Sequence, residues 1–213
     1  MLTIEREQTY GGVWHSKSYP GVILQTTKYS YSFSDMPMSE KTSLHPSHIE
    51  ILTYLKKYIN KHRLDKYVKY NTEVVSATKD AEGLYRITYR NRETGSINSV
   101  YSRHLAICSG FYTTPKYINS LVKSQFNGKI THISEFSEKI QGNRDNHNII
   151  KNSDFKDKRV LVIGNGPSGC DIACLAINNN AKDVSILYRS HKWIFPRYIG
   201  LLGLNFFSNR LFL

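Results

Sequence analysis

The chain has 213 residues, of which 40% are hydrophobic, 12% aromatic and 22% charged. That composition is globular, which excludes a disordered or collagen-like chain, and the length provides one or two domains with a real core. Lys and Arg number 29 against 17 Asp and Glu, a net charge of +12, which favours anionic partners (nucleic acid, anionic lipid or a phosphorylated cofactor) or is simply a solvated basic surface.

Cys108, Cys170 and Cys174 form no CxxC pair. The sequence therefore predicts neither a disulfide framework nor a metal site, and a reducing compartment is the simplest reading. Residues Met1 to Glu7 carry no apolar run behind a basic segment, so no signal peptide is expected. No stretch reaches the roughly 18 uninterrupted apolar residues of a membrane span. The tail from Trp193 to Leu213 comes closest, but Pro196, Arg197, Asn205, Asn209 and Arg210 interrupt it. It reads as a buried or membrane-surface segment, and the localisation as cytoplasmic or membrane-associated.

Three zones follow one another with no internal repeat. In the first, the short apolar start Leu2-Thr3-Ile4 leads through Gly11-Gly12 to Trp14, then to a Tyr- and Ser-rich stretch ending at Phe33-Ser34-Asp35-Met36-Pro37. From Pro46 the pattern turns helical. Ile49, Leu52, Leu55, Ile59 and Leu64 recur on one side, while Lys56, Lys57 and Lys61 fall on other faces. Ser47 is the expected N-cap, and Glu50 completes a capping box.

The second zone, Tyr67 to Ile107, reads as strands. Val68-Lys69-Tyr70, Glu73 to Ser76, Leu84 to Tyr89, and Val100-Tyr101 continuing to Leu105-Ala106-Ile107 are rich in β-branched and aromatic residues. Asp80-Ala81-Glu82-Gly83 and Arg92-Glu93-Thr94-Gly95 supply turns. The polar stretch from Gln141 to Lys158 is the expected interdomain linker.

The third zone carries the strongest motif. Arg159-Val160-Leu161-Val162-Ile163 has the signature of a buried parallel strand. Gly164-Asn165-Gly166-Pro167-Ser168-Gly169 follows at once and opens a helix through Cys170 to Ala176. After Asn178-Asn179-Asn180 comes a second strand, Val184 to Tyr188. A GxGxxG between strand and helix predicts a dinucleotide site. The first glycine allows the tight turn, the second lets backbone N–H groups approach a pyrophosphate, and the third lets helix and strand pack closely. The helix start adds its free N–H groups and positive dipole end.

Where an acidic residue would hold the 2′-hydroxyl of NAD, the chain has Arg189-Ser190-His191. A cationic fork there suits a 2′-phosphate, so NADP(H) is expected over NAD(H), with a merely solvated Arg189 as the alternative. A second half-site lies at Glu5, which closes the apolar start as the ribose-binding acid of a dinucleotide fold closes its second strand.

With these features in view, the sequence resembles the flavin-containing monooxygenases. Phe126-Asn127-Gly128-Lys129-Ile130-Thr131-His132-Ile133-Ser134-Glu135-Phe136 matches that family's FxGxxxHxxx pattern closed by Phe or Tyr. The related Baeyer–Villiger monooxygenases usually carry Trp-Pro at that end, so with Phe136 the motif resembles the N- and S-oxygenating branch. Glu5-Arg6 with Gly11-Gly12-Val13-Trp14 looks like the FAD-contacting segment. Leu24 to Lys28 with Phe33-Ser34-Asp35 looks like the next shared block, and Cys108-Ser109-Gly110 looks like the ATG-type turn.

The resemblance implies an α/β fold of two nested dinucleotide-binding domains of the Rossmann-like, glutathione-reductase type, both incomplete. Residues 1–152 would be a partial FAD-binding domain and residues 153–213 the start of an NADPH-binding domain. It implies FAD and NADPH as cofactors, O2 and a small-molecule substrate as partners, and oxygen transfer to a soft nitrogen or sulfur with no side chain acting as nucleophile. Glu5 would hold the FAD ribose, and Gly12, Val13 and Trp14 would line the flavin. Gln25, Thr26 and Thr27 would sit at the flavin–nicotinamide junction. Gly164, Gly166, Ser168, Gly169 and Asp171 would form the NADPH turn, with Arg189 on the 2′-phosphate. His132 is expected to orient the connection between domains.

Three departures stand against the family pattern. Thr27 stands where many members place an Asn beside the flavin. The first glycine motif is absent, and the chain stops shortly after Trp193 to Arg197, where members continue for roughly as long again. A fragment is therefore expected: either a flavin monooxygenase polypeptide, or a catalytically inactive split-gene product, at most an NADPH-binding module completed by another chain. A basic nucleic-acid binder, built on Lys56, Lys57, Lys61, His62 and Arg63, is the weakest reading because no nucleic-acid module is recognisable.

Overall fold

The computed structural model of the chain describes residues 1–118, 126–136, 154–192, 198–199 and 202–203. These fall into two compact units, one built from Met1–His15 and Leu52–Thr114, the other from the described residues of Ser16–Ile51 and Pro115–Leu213.

In the first unit, β1 (Thr3–Ile4) pairs in parallel with β2 (Val68–Lys69), Thr3 opposite Val68 and Ile4 opposite Lys69. The Glu5 N–H continues the ladder to the Lys69 carbonyl at 2.9 Å. An antiparallel meander follows: β3 (Thr72–Lys79), β4 (Tyr85–Asn91) and β5 (Ile97–Ser102), in that spatial order. Its two turns fall where the sequence puts them. The Asp80 carboxylate accepts the N–H groups of Glu82 and Leu84 at 3.0 and 2.8 Å. The Asn91 side-chain oxygen accepts those of Glu93 and Thr94, both at 2.9 Å. Side chains that substitute for backbone acceptors are why Asp and Asn occupy these corners.

The expected continuation of the last strand through Leu105 to Ile107 does not form. β5 ends at Ser102, and the residues after it join no ladder, with Ile107, Phe111 and Tyr112 in solvent. An apolar run marks a segment able to be a strand, but it becomes one only beside a partner, and none is present among the described residues.

One helix begins in the second unit and ends in the first: α3 (His48–His62), which follows the single turns α1 (Val13–Ser16) and α2 (Lys28–Tyr31). Its capping box is the expected one. Glu50 Oε2 accepts both the N–H and the hydroxyl of Ser47 at 2.9 Å, and Oε1 accepts the Ser43 N–H at 2.8 Å. Partial burial disfavours the charged carboxyl, but the bonds from Ser43 and Ser47 outweigh it and bring Glu50 down to about 2. The buried face differs from the expected stripe. Ile51 and Tyr54 are the buried positions, Leu52, Leu55 and Ile59 are half-buried, and Ile49 is exposed. Two overlapping apolar stripes run along this helix, and spacing alone does not choose between them.

The second unit is organised on two parallel strands, β6 (Arg159–Ile163) and β7 (Asp183–Leu187), joined by α4 (Pro167–Asn178). The three asparagines at the end of α4 make its stop. Asn180 takes φ +58°, the Ala181 N–H bonds the Ala176 carbonyl and the Asn180 N–H the Ile177 carbonyl, both at 3.0 Å. That is a Schellman closure with Asn in the left-handed position. The core gathers Tyr19, Phe136, Phe155 and Ala176, with Val160, Ile172, Leu175 and Val184 packed on it.

Two expectations need correction here. The sequence predicts β6 buried on both faces, yet only Val162 is buried; Leu161 is 60% and Leu187 55% exposed. Helix α4 covers one face of this two-stranded sheet, and nothing among the described residues covers the other. The end of the expected linker is also part of the fold, since Phe155 is in the core and Lys156 bridges to Ala181. The stretch from Gln141 to Ser153 lies outside the described residues, as does the apolar tail from Trp193, apart from a two-residue pairing of β8 (Tyr198–Ile199) with β9 (Leu202–Gly203).

Candidate functional site

The glycine turn is built from β6 outward. Gly164 takes φ +109°, which only glycine adopts without strain, and its N–H donates to the Leu187 carbonyl at 2.8 Å, joining the turn to the end of β7. Gly166 is the N-cap of α4 in ordinary extended backbone, and Pro167 occupies the first helical position. A Cβ on Gly169 would collide with the Gly164 carbonyl oxygen, whereas a Cβ on Gly166 would meet nothing. Glycine at 169 is thus explained by the packing of helix against turn. Glycine at 166 suits the N-cap position of α4, and no protein atom fills the space where its side chain would be, so that space is open to a ligand.

The first N–H to bond inside α4 is that of Cys170, to the Gly166 carbonyl at 3.0 Å, so the groups before it have no partner within the helix. Asn165 extends the site sideways. Its side-chain amide donates to the Ser190 carbonyl at 3.1 Å, holding the exposed Arg189-Ser190 loop against the glycine turn. Turn, helix start and Arg189 loop are thereby brought together within one unit.

Asp171 and Ser168 are engaged in a way the sequence did not foretell. The Tyr19 hydroxyl lies 2.8 Å from Asp171 Oδ2 and 3.3 Å from Ser168 Oγ. Burial pushes the Tyr19 phenol up to about 12; the Asp171 carboxylate adds to that rise and the Ser168 hydroxyl opposes it. The available signal was Tyr19-Pro20-Gly21, a turn signature that says nothing about its long-range partner.

Gln25, Thr26 and Thr27 belong to the same unit. Gln25 is exposed, the Thr26 carbonyl lies 3.1 Å from His45 Nδ1, and Thr27 is buried as the N-cap of α2. Beside them stands a second residue that sequence reasoning missed. Lys28 is 4% exposed and its ammonium donates to the carbonyls of Ser39, Glu40 and Thr42 at 3.0, 3.1 and 2.9 Å. It is a structural clamp on the 39–42 loop.

His132 caps a short 3₁₀ turn, Ile133–Glu135: Nδ1 accepts the Ser134 N–H at 3.2 Å, and its own backbone N–H donates to Glu135 Oε1 at 2.9 Å. Tyr117 donates to the same Glu135 oxygen at 3.1 Å and its ring lies 5.1 Å from the imidazole. The motif histidine thus shapes the approach to Phe136, which stacks on Phe155 at 6.1 Å.

In the first unit, Glu5 closes β1 as expected. Its carboxylate accepts the Glu7 N–H at 2.8 Å and lines a groove of about 250 Å³ with Tyr10, Gly11, Ile59 and Tyr70. Gly12, at φ +50°, leads into α1, and Val13 and Trp14 are its first two residues. Among the described residues this unit has no strand–glycine turn–helix cradle of its own. No described helix is long and apolar enough to cross a membrane, and no described group of His, Cys, Asp and Glu could hold a metal ion.

A parallel β–glycine turn–α–β unit with an open cradle defines a dinucleotide-binding α/β fold. Comparison with known proteins carries this further: the sequence matches the flavin-binding monooxygenase-like family over residues 3–203, and the chain belongs to that family. It is 30% identical to dimethylaniline monooxygenase [N-oxide-forming] 2 of Pan troglodytes, with 91% of this chain and 36% of that protein covered. Among solved structures, OTEMO in complex with FAD and NADP superposes with a TM-score of 0.74 at 27% identity, covering 92% of this chain and 35% of that one. Tmm from Pelagibacter sp. strain HTCC7211 shares the fold, with a TM-score of 0.75 at 20% identity over 91% of this chain and 46% of that one. The chain spans less than half the length of the relatives it matches.

Proposed function

We propose that this chain provides the NADP(H)-binding turn and part of the flavin site of a monooxygenase that oxygenates a soft nitrogen or sulfur nucleophile. The observation that carries the reading is the glycine turn with the Arg189 loop tied to it through Asn165. Gly164, Gly166 and Gly169 set the turn, the first N–H groups of α4 take the pyrophosphate, and Arg189 takes the 2′-phosphate. The open space at Gly166 supports the fit of such a group.

For FAD, Glu5 at the end of β1 would accept ribose hydroxyls with the carboxylate capacity that Glu7 leaves, and Gly12, Val13 and Trp14 would border the ring system. Gln25, Thr26 and Thr27 would border the nicotinamide. When bound, FAD supplies the redox and oxygen chemistry, so these residues need only bind, orient and exclude water. Functionally, residues 1–152 are assigned to the FAD part and 153–213 to the NADPH part.

A second reading is an NADPH-binding module without oxygenase activity of its own, which rests on the glycine turn and the Arg189 loop alone. Flavin content separates the two. The purified chain is reconstituted with excess FAD and its visible spectrum recorded before and after NADPH. A stoichiometric flavin spectrum bleached by NADPH supports the monooxygenase reading, and amines and sulfides become the substrates to screen. A colourless protein that binds NADP+ leaves only the module.

A further inference from the structure

Tyr19 is distant in sequence from the glycine turn but buried in the same unit, its ring in the core with Phe136, Phe155 and Ala176. A type II turn fixes its position. The Val22 N–H donates to the Tyr19 carbonyl at 3.1 Å, with Pro20 at the second position and Gly21, φ +80°, at the third. The phenol therefore cannot follow α4; it holds α4. The phenol O–H points to both groups of the first turn: it donates to the shorter, charge-assisted contact at Asp171 Oδ2, 2.8 Å away, with Ser168 Oγ as the weaker acceptor at 3.3 Å. One consequence follows at the helix start. The Asp171 carboxylate and the Ser168 hydroxyl are held by one phenol oxygen, which ties both side chains of the first turn of α4 to the core.

We propose that Tyr19 is a positioning residue of the NADP(H) site: by bridging Ser168 and Asp171 it fixes the first turn of α4, so that its free N–H groups meet the pyrophosphate already aligned. This rests on the reading of the glycine turn as an NADP(H) site. Tyr19→Phe keeps the packed ring and removes only the bridging oxygen, and Asp171→Ala removes the same bond from the other side.

The test measures NADP+ binding to the full chain by calorimetry, together with amide hydrogen exchange of residues 168–170 without ligand. Tyr19→Phe is expected to weaken NADP+ binding and to speed first-turn exchange, each about tenfold, the order expected for losing a bond to a charged group. The double variant is expected to bind no more weakly than Asp171→Ala alone, because Tyr19 acts through that carboxylate. Wild-type affinity in Tyr19→Phe overturns the positioning role, even if exchange is faster. Additive losses in the double variant overturn the route through Asp171. A wild-type chain that binds no NADP+ while Tyr19→Phe still speeds exchange refutes the site reading itself and the positioning role with it, leaving Tyr19 a purely structural tether.

Discussion

Three alanine substitutions in one turn should give three different outcomes, because each glycine is there for a different reason. Gly164→Ala forces a Cβ onto φ +109°, a backbone strain of about 1–3 kcal/mol. Gly169→Ala gains about 1 kcal/mol of helix propensity but overpacks against a backbone carbonyl, which costs about 1–3 kcal/mol. The colliding group is Gly164 C=O and not the tip of a flexible side chain, so the cost sits at the upper end and the net loss is about 1–2 kcal/mol. Gly166→Ala meets no protein atom and sits in extended backbone, so its cost is the N-cap difference alone, under about 1 kcal/mol.

Binding should rank differently from stability. The Cβ at 166 enters the cradle, and we expect NADP+ affinity to fall at least about tenfold, or ~1.4 kcal/mol, in the variant that is most stable of the three. Urea unfolding followed by tryptophan fluorescence gives the stabilities, and calorimetry gives the affinities. Gly166→Ala binding NADP+ like wild type would mean that no pyrophosphate lies on this turn. Gly169→Ala as stable as wild type would refute the close packing of α4 on Gly164.

Arg189→Ala should lower the preference for NADP+ over NAD+ by about 10- to 100-fold, the range for losing charge-assisted bonds to a phosphate; calorimetry with both nucleotides reads it, and an unchanged ratio would make Arg189 a solvated surface residue. Lys28→Met should destabilise the chain by about 2 kcal/mol by orphaning three carbonyls, whereas Glu40→Ala, whose carboxylate is 3.9 Å from Lys28 and 89% exposed, should cost less than about 0.5 kcal/mol; urea unfolding measures both, and equal losses would sink the clamp. The Glu50 carboxyl falls from an ordinary 4.5 to about 2 on folding, so the unfolded chain takes up that proton first. Its contribution is complete above pH 4.5 and is lost as pH falls through about 2. Glu50→Gln should flatten that limb of the acid-unfolding profile, and an unaltered limb would count against the ionised capping box.

Much of this protein is decided within short stretches of chain. The capping box at Ser47 and Glu50, the Asp80 and Asn91 turns, the Schellman stop at Asn180 and the glycine turn after β6 are local devices. Each depends on residues a few positions apart, so the sequence by itself determined them. The strand–turn–helix–strand order follows from the same neighbourhood, and with it the dinucleotide-binding class.

What remained undecided depends on partners distant in sequence. Whether Leu105 to Ile107 becomes a strand is set by an adjacent strand, and whether Leu161 is buried is set by a cover over the second face of β6 and β7; neither is written in the segment itself. Ile51 rather than Ile49 faces inward because packing chooses between two equally spaced stripes. The residues around Tyr19 and Lys28 carry no sign of their distant partners. Only the tertiary structure brings the first to Asp171 and wraps three carbonyls around the second, because a hydrogen bond across 152 positions leaves no periodicity in the chain.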